Sequence, residues 1–301
     1  MNLKMVKCGM SVLTMFMFQS GYGAPSPFAK AFLLAARGDQ KAAVQTIVDS
    51  RQGYRLRVID SDKVPVDIKK IFSGNFSDKF LHDKIIDIGD AKLYVPNYPD
   101  DFIQSRIVNR GTFYEIGFLE ELQPYIKKNA VILDIGANIG NHSVYWGLKA
   151  DAKRIYSFEP VQDTFNTLKK NIEINELTDK VKIFNIGLSS EKIGGRVSYY
   201  DPKDIGRTTV KQDSDGNLLL DKLDNIQIEE DSVDFVKIDV EGHELAVFQG
   251  ARETLLKYKP IIFVEIFRHK KPKVHEYLTD LGYRLEKTFP YGNYLYIFDD
   301  K

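Results

Sequence analysis

The chain has 301 residues, 43% of them hydrophobic, and its 42 Lys plus Arg exactly balance 42 Asp plus Glu. That length and apolar content suffice for one large α/β domain with an appendage or for two small domains, while the balanced charge supplies no positive field to draw the molecule to nucleic acid. The only cysteine, Cys8, excludes an internal disulfide and a thiolate-rich metal site.

Lys4 and Lys7 precede the apolar run MSVLTMFMF (10–18), and GYGA (21–24) offers a small-x-small cleavage site, which is the anatomy of a signal peptide. The run is too short for an ordinary membrane-spanning helix, so the alternative is an uncleaved, membrane-associating tail. Residues 1–24 are set apart from the fold on either reading. From 26 to about 53 the chain is alanine-rich, with Phe28, Phe32, Ala35 and Ala36 at helical spacing and a break near Gly38 and Asp39. Residues 54–105 change to short β-rich pieces separated by Gly, Asn and Pro. Together 25–105 read as a small N-terminal helix and β-rich module. Within it, IIDIGDAKLYV (85–95) places Gly89 and Asp90 between two alternating runs, a hairpin with no following helix to face a ligand.

Residues 106–301 read as one domain. After a helix in YEIGFLEELQPYIKKN, the strands AVILDIG, RIYSFEP, KVKIFNIGL, VDFVKIDV and PIIFVEIF alternate with helices, and RLEKTFP with NYLYIFDD forms a terminal hairpin through PYGN. This rhythm predicts an α/β fold with a doubly wound, mostly parallel sheet, the hairpin bringing in an antiparallel strand. VSYYDPKDIGRTTVKQDSDGN (197–217) interrupts it. That insertion reads either as a substrate loop, with Arg207, Tyr199 and Tyr200 gripping a polar acceptor, or as a solvated hairpin.

In such sheets a ligand lies beyond the carboxyl ends of the strands. The turn after Val131 is wrong for a dinucleotide, because Gly-x-Gly-x-x-Gly from Gly136 needs glycine where the chain has Asn138 and Asn141. Its pattern is instead Asp134, Gly136 and Gly140. A carboxylate at a strand end, beside a turn that lets backbone approach, suits a ligand with an ammonium group, such as the amino-acid end of S-adenosylmethionine. Glu159, at the tip of the next strand, can accept from both ribose hydroxyls. Asn138 in the turn and Asn185 at the third strand end, by the expected adenine edge, complete the candidate cofactor contacts.

LDIGANIGNHS, FEP (158–160), LLLDKLD (218–224) and above all VKIDVEGHELAVFQGA (236–251) resemble the FkbM-type methyltransferases, over roughly residues 111–298. The resemblance implies a seven-stranded, class I, Rossmann-like fold and S-adenosylmethionine-dependent O-methylation of a hydroxyl, often on a sugar, glycolipid or secondary metabolite. Two rivals are a non-catalytic S-adenosylmethionine-binding module and an NAD-dependent oxidoreductase. Methyl transfer to oxygen needs an in-line acceptor and a base. Strand periodicity puts Lys237 and Asp239 on one face, so an ion pair or a hydrogen-bonded cluster is expected, with Asp239 at the strand tip the leading catalytic candidate. Glu241 and His243 in the following turn and Glu265 on the expected neighbouring strand are further candidates. These carboxylates and His243 can be imagined around a divalent cation, but no spacing fixes its coordination and no metal is expected.

The expected partner is a small-molecule or glycan acceptor, with membrane association open through the first residues. Because S-adenosylmethionine is kept in the cytosol, a signal peptide stands in tension with this activity. A cytosolic-side tether, a start at Met5 or Met10, or genuine export with altered function each resolves it.

Overall fold

A computed structural model describes residues 83–299 and, before them, four short strands. The chain divides into two compact units, Met1–Leu81 and His82–Lys301. In the first, β1 (Lys4–Val6) pairs antiparallel with β2 (Met15–Met17), and β3 (Val44–Asp49) with β4 (Gly53–Val58). The rest of 1–82, including the proposed cleavage site and the first part of the expected helix, lies outside the described residues. At Val44–Asp49 a strand stands where helix was expected. Val44, Thr46, Ile47 and Val48 are β-branched, and their stiff side chains favour extended backbone over the alanine-led pattern before them.

The second unit starts earlier than residue 106. Its first elements are the antiparallel hairpin of β5 (Ile85–Ile88) and β6 (Ala91–Tyr94), closed by Gly89 and Asp90 as the alternating pattern requires. Next comes α1 (Phe102–Arg110), whose first residues, 102–105, were read as part of the strand-and-turn module. The backbone N–H of Gln104 donates to the Asp101 carboxylate at 2.9 Å, and Gly111 ends the helix in the left-handed region. A short α2 (Ile116–Leu122) then leads to the main sheet.

That sheet contains β7 (Val131–Ile135), β8 (Arg154–Phe158), β9 (Val181–Phe184), β14 (Phe235–Ile238), β15 (Ile261–Glu265), β16 (Tyr283–Thr288) and β17 (Asn293–Phe298). Its order is β16-β17-β15-β14-β7-β8-β9. The first five strands in chain order run parallel, while β17 is antiparallel to both β15 and β16. This is the seven-stranded, mostly parallel α/β sheet expected from the sequence. Helices α3 (Asn141–Lys149) and α4 (Gln162–Ile174) make the β7–β8 and β8–β9 crossovers. Helices α5 (Glu244–Gly250) and α6 (Arg252–Tyr258) connect β14 to β15, and α7 (Lys271–Asp280) follows β15. β7 and β14 are buried along their whole length, as central parallel strands covered on both faces must be.

Between β9 and β14 the chain builds a second sheet of four strands, order β10-β13-β11-β12, from β10 (Gly187–Leu188), β11 (Ile193–Tyr199), β12 (Thr209–Gln212) and β13 (Leu218–Asp221). Asp101 joins this insertion to α1, its second carboxylate oxygen accepting the Ile205 N–H at 3.0 Å. Asn171 on α4 makes another latch. Its amide accepts from Tyr94 N–H at 2.5 Å and donates to the carbonyl of Ile139 at 2.7 Å, fixing the β5–β6 hairpin and the glycine turn together.

Candidate active site

After β7 the chain builds one half of the sheet through β8 and β9, and after β14 it builds the other. The carboxyl ends of these two neighbouring strands therefore flank the point where strand order reverses, where an open α/β sheet leaves a crevice. A cavity of about 640 Å³ opens there. Of the residues picked from sequence, Gly136, Asn138, Glu159, Asp239, Glu241, His243 and Glu265 line it, whereas Asp134, Gly140, Asn185 and Lys237 do not.

Sheet register explains the first exception. β7 and β14 pair Asp134 directly with Lys237, and β7 and β8 pair Asp134 with Ser157, so these side chains share a face. Asp134 is fully buried; Ser143 Oγ donates to its Oδ2 at 2.5 Å, and Lys237 Nζ lies 3.5 Å from Oδ1. Its charge therefore serves Lys237 and is not turned to a ligand ammonium. Lys237 Nζ also donates to the Gly136 carbonyl at 2.8 Å and stands 3.5 Å from Asp239 Oδ2. Burial pulls the ammonium pKa down, but Asp239, Asp134 and Glu115 together outweigh it and hold the group above its ordinary value. The expected Lys237–Asp239 ion pair is present, with Lys237 behind the cavity wall.

The two glycines serve different neighbours. Gly136 has φ +76, and a Cβ there would fall 1.8 Å from the Asp239 carbonyl oxygen, so glycine lets the ends of β7 and β14 meet. Gly140, at φ +85, would strike Leu168 on α4. It lets α3 sit close against α4, and it stands outside the cavity lining.

Asn138, at φ 50, lines the cavity from this turn, and its buried Oδ1 has no hydrogen-bond partner. Glu159 is held by two backbone donors, Asn138 N–H to Oε2 at 3.1 Å and Val161 N–H to Oε1 at 2.9 Å. Burial raises its pKa to about 7, against the opposing pull of these N–H groups. Asn185 stands outside the lining: its amide donates to the carbonyls of Glu159 and Pro160 at 2.9 and 3.1 Å, buttressing the loop that carries Glu159.

Opposed to these groups in character is a set of carboxyls that share one field. Burial, then Asp239, raises Glu241 to about 8 and Glu265 to about 9. His243 lines the cavity, but its Nε2 is engaged by Ser189 Oγ at 2.9 Å, and burial with the nearby Lys270 lowers its pKa. Among the described residues no group of three or more His, Cys, Asp or Glu converges as metal ligands.

Residues ahead of β7 and in the insertion complete the lining. Arg106 on α1 lies over the Phe102 ring at 4.5 Å, and Arg207 enters from the insertion. Tyr199 and Tyr200 are solvent-exposed away from the lining, so only Arg207 of that trio reaches the cavity. Sequence reasoning missed Tyr114 and Glu115. An acidic residue before a helix is common for dipole reasons, so nothing local marks Glu115 as part of a site.

The model of the methyltransferase FkbM domain family matches residues 134–285, just over half of the chain. Hexuronic acid methyltransferase AglP of Haloferax volcanii is 30% identical over 151 residues, covering 49% of this chain and 60% of that protein. Methyltransferase sdnD of Sordaria araneosa is 25% identical over 199 residues, 54% of this chain and 76% of that protein. Among solved structures, the methyltransferase FkbM of Methylobacillus flagellatus KT aligns with a TM-score of 0.44 and 18% identity, over 68% of this chain and 56% of that one. The chain thus spans less than two thirds of AglP.

Proposed function

The chain belongs to the methyltransferase FkbM domain family, and on that premise we propose that its cavity binds S-adenosylmethionine and directs the methyl group to a hydroxyl of a sugar-type acceptor. The observation that carries this reading is the crevice at the switch point, where Gly136, Asn138 and Glu159 line one cavity and the Asn138 Oδ1 is buried without a hydrogen-bond partner. These groups fit the donor. An unpaired acceptor suits its ammonium, and a carboxylate whose oxygens each accept one N–H retains lone pairs for ribose hydroxyls. When bound, the sulfonium supplies an already activated methyl group. The chain's own task is to align an acceptor oxygen and take up its proton.

Carboxyls around the rest of the cavity support a polyhydroxylated acceptor, because Glu241 and Glu265 are protonated near neutral pH and can both donate and accept hydrogen bonds. The name of AglP adds a sugar acid as the first acceptor to try, and Arg106 and Arg207 offer cations for its carboxylate. Incubating the full chain with methyl-labelled S-adenosylmethionine and either D-glucuronic acid or D-glucose tests this. Label is expected in an O-methyl sugar, with the acid the better acceptor. Label found in neither sugar, with the donor bound, would count against a sugar acceptor.

A further inference from the structure

We infer that Glu115 is the group that accepts the proton of the acceptor hydroxyl, with His142 as its positioning residue. This rests on the methyltransferase reading above and adds the catalytic residue to it. Glu115 lies outside the segment matched by the family model.

Glu115 precedes α2 in the left-handed region, φ 56 and ψ 30, yet its side chain makes no capping hydrogen bond. A non-glycine residue in this conformation costs free energy, and here the side chain is directed into the cavity lining instead of back to the helix. Its Oε2 lies 3.6 Å from His142 Nε2. That separation exceeds a formed hydrogen bond, and the buried Nε2 has no other partner. His142 packs on Trp146 with centroids 5.4 Å apart and is kept neutral, burial lowering its pKa to about 3 with help from Lys237. The neighbouring backbone is fixed on both sides: Tyr114 N–H donates to Asn141 Oδ1 at 2.9 Å, and Asn141 Nδ2 donates to the Tyr114 carbonyl at 3.0 Å. Asn141 and His142 are the first residues of α3, immediately after the glycine turn. One turn therefore lines the donor's crevice and positions Glu115.

The competing bases are otherwise occupied. Asp239 faces Lys237, His243 Nε2 meets Ser189, and Glu159 is committed to the donor's ribose on the reading above. Glu265 and Glu241 hold their protons above neutrality. The groups whose charge acts on Glu115 are Asp239 and Lys237 from the β14 strand and its end; Glu115 acts in turn on Glu265 from β15 and on the adjacent Tyr114 phenol. Burial, then Asp239, raises Glu115 to about 7, with Lys237 opposing, which leaves a base matched to neutral pH. In the reaction the acceptor oxygen bonds the methyl carbon and its O–H proton passes to Glu115. The electron pair of the broken carbon–sulfur bond stays on the donor's sulfur.

The test uses the full chain, wild type and Glu115→Gln, Glu115→Asp and His142→Ala, each checked for S-adenosylmethionine binding by calorimetry. Carboxyl-carbon NMR of glutamate-labelled protein should show a group titrating near neutrality that vanishes in Glu115→Gln and shifts in His142→Ala. With D-glucuronic acid as the acceptor probe, Glu115→Gln should transfer methyl at least a hundredfold more slowly at unchanged donor affinity. Its acidic pH limb should disappear, and Glu115→Asp should recover part of the rate. Transfer by Glu115→Gln at the wild-type rate overturns the inference, as does a Glu115 carboxyl that titrates like an ordinary surface glutamate. If the wild type does not methylate D-glucuronic acid, the sugar-acid reading fails separately and the titration decides Glu115. Failure of the wild type to bind the donor at all removes the underlying methyltransferase reading and this inference with it.

Discussion

Lys237 sits between two carboxylates and one carbonyl at the centre of the sheet, almost without solvent. Removing its charge takes the cation away from the buried Asp134 carboxyl and leaves it only Ser143 as donor. Lys237→Met should therefore destabilise the fold by about 3–5 kcal/mol, the usual cost of an orphaned buried charge. Urea unfolding measures this, and Asp134→Asn in the same chain should recover much of the loss. A cost under about 1 kcal/mol would mean that the cluster is not the electrostatic unit described. Gly136→Ala tests the backbone at the same crossing: its positive φ alone costs about 1–3 kcal/mol, and the Asp239 carbonyl lies where the methyl must go. Asp134 also shows where residue-level reading stopped. Its place at a strand end was legible, but the neighbour it faces depends on which strand lies alongside, and only the β7–β14 register brings Lys237 opposite.

Among the elements, the alternating strands and their helices were legible because a central parallel strand needs a run of apolar residues and its crossover needs a helix. The terminal hairpin was legible from PYGN between two such runs. Helix α1 was not, since a mixed run behind Pro96 and Pro99 carries no strong periodicity, and its start depends on the Asp101 cap. The joints between elements were equally hidden, because a polar side chain on α4 gives no sign of which backbone it will reach. Asn171→Leu removes the hydrogen bonds to Tyr94 and Ile139 and leaves buried backbone groups unpaired. About 2–3 kcal/mol should be lost, with faster amide exchange at Tyr94. Unchanged exchange there would show that the hairpin is held without α4.

For the whole domain, the cavity sets a pH profile. Glu115 and Glu159 are raised to about 7, Glu241 to about 8 and Glu265 to about 9, from an ordinary value of 4.5. Between 4.5 and these values the folded state binds more protons than the unfolded chain, so the stability they contribute is lost as pH rises through that window. His142 acts oppositely. Its pKa is lowered from 6.5 to about 3, so its contribution is present above 6.5 and is lost as pH falls. Denaturant unfolding from pH 5 to 9 should show a decline on the alkaline side that Glu265→Gln flattens. A profile that rises steadily to pH 9 would contradict the buried-carboxyl description. These groups come from the residue before α2, the residue after β8, the end of β15 and the turn after β14, so a single segment could not reveal that they line one cavity.

On the reading proposed above, the crevice at the β7–β14 junction binds S-adenosylmethionine. Calorimetric titration of the full chain with S-adenosylmethionine and, separately, with NAD addresses it most directly, with wild type compared to Glu159→Ala. S-adenosylmethionine alone should bind, about tenfold or more weakly once the carboxylate is lost. Binding of NAD instead, or donor affinity indifferent to Glu159, would contradict it.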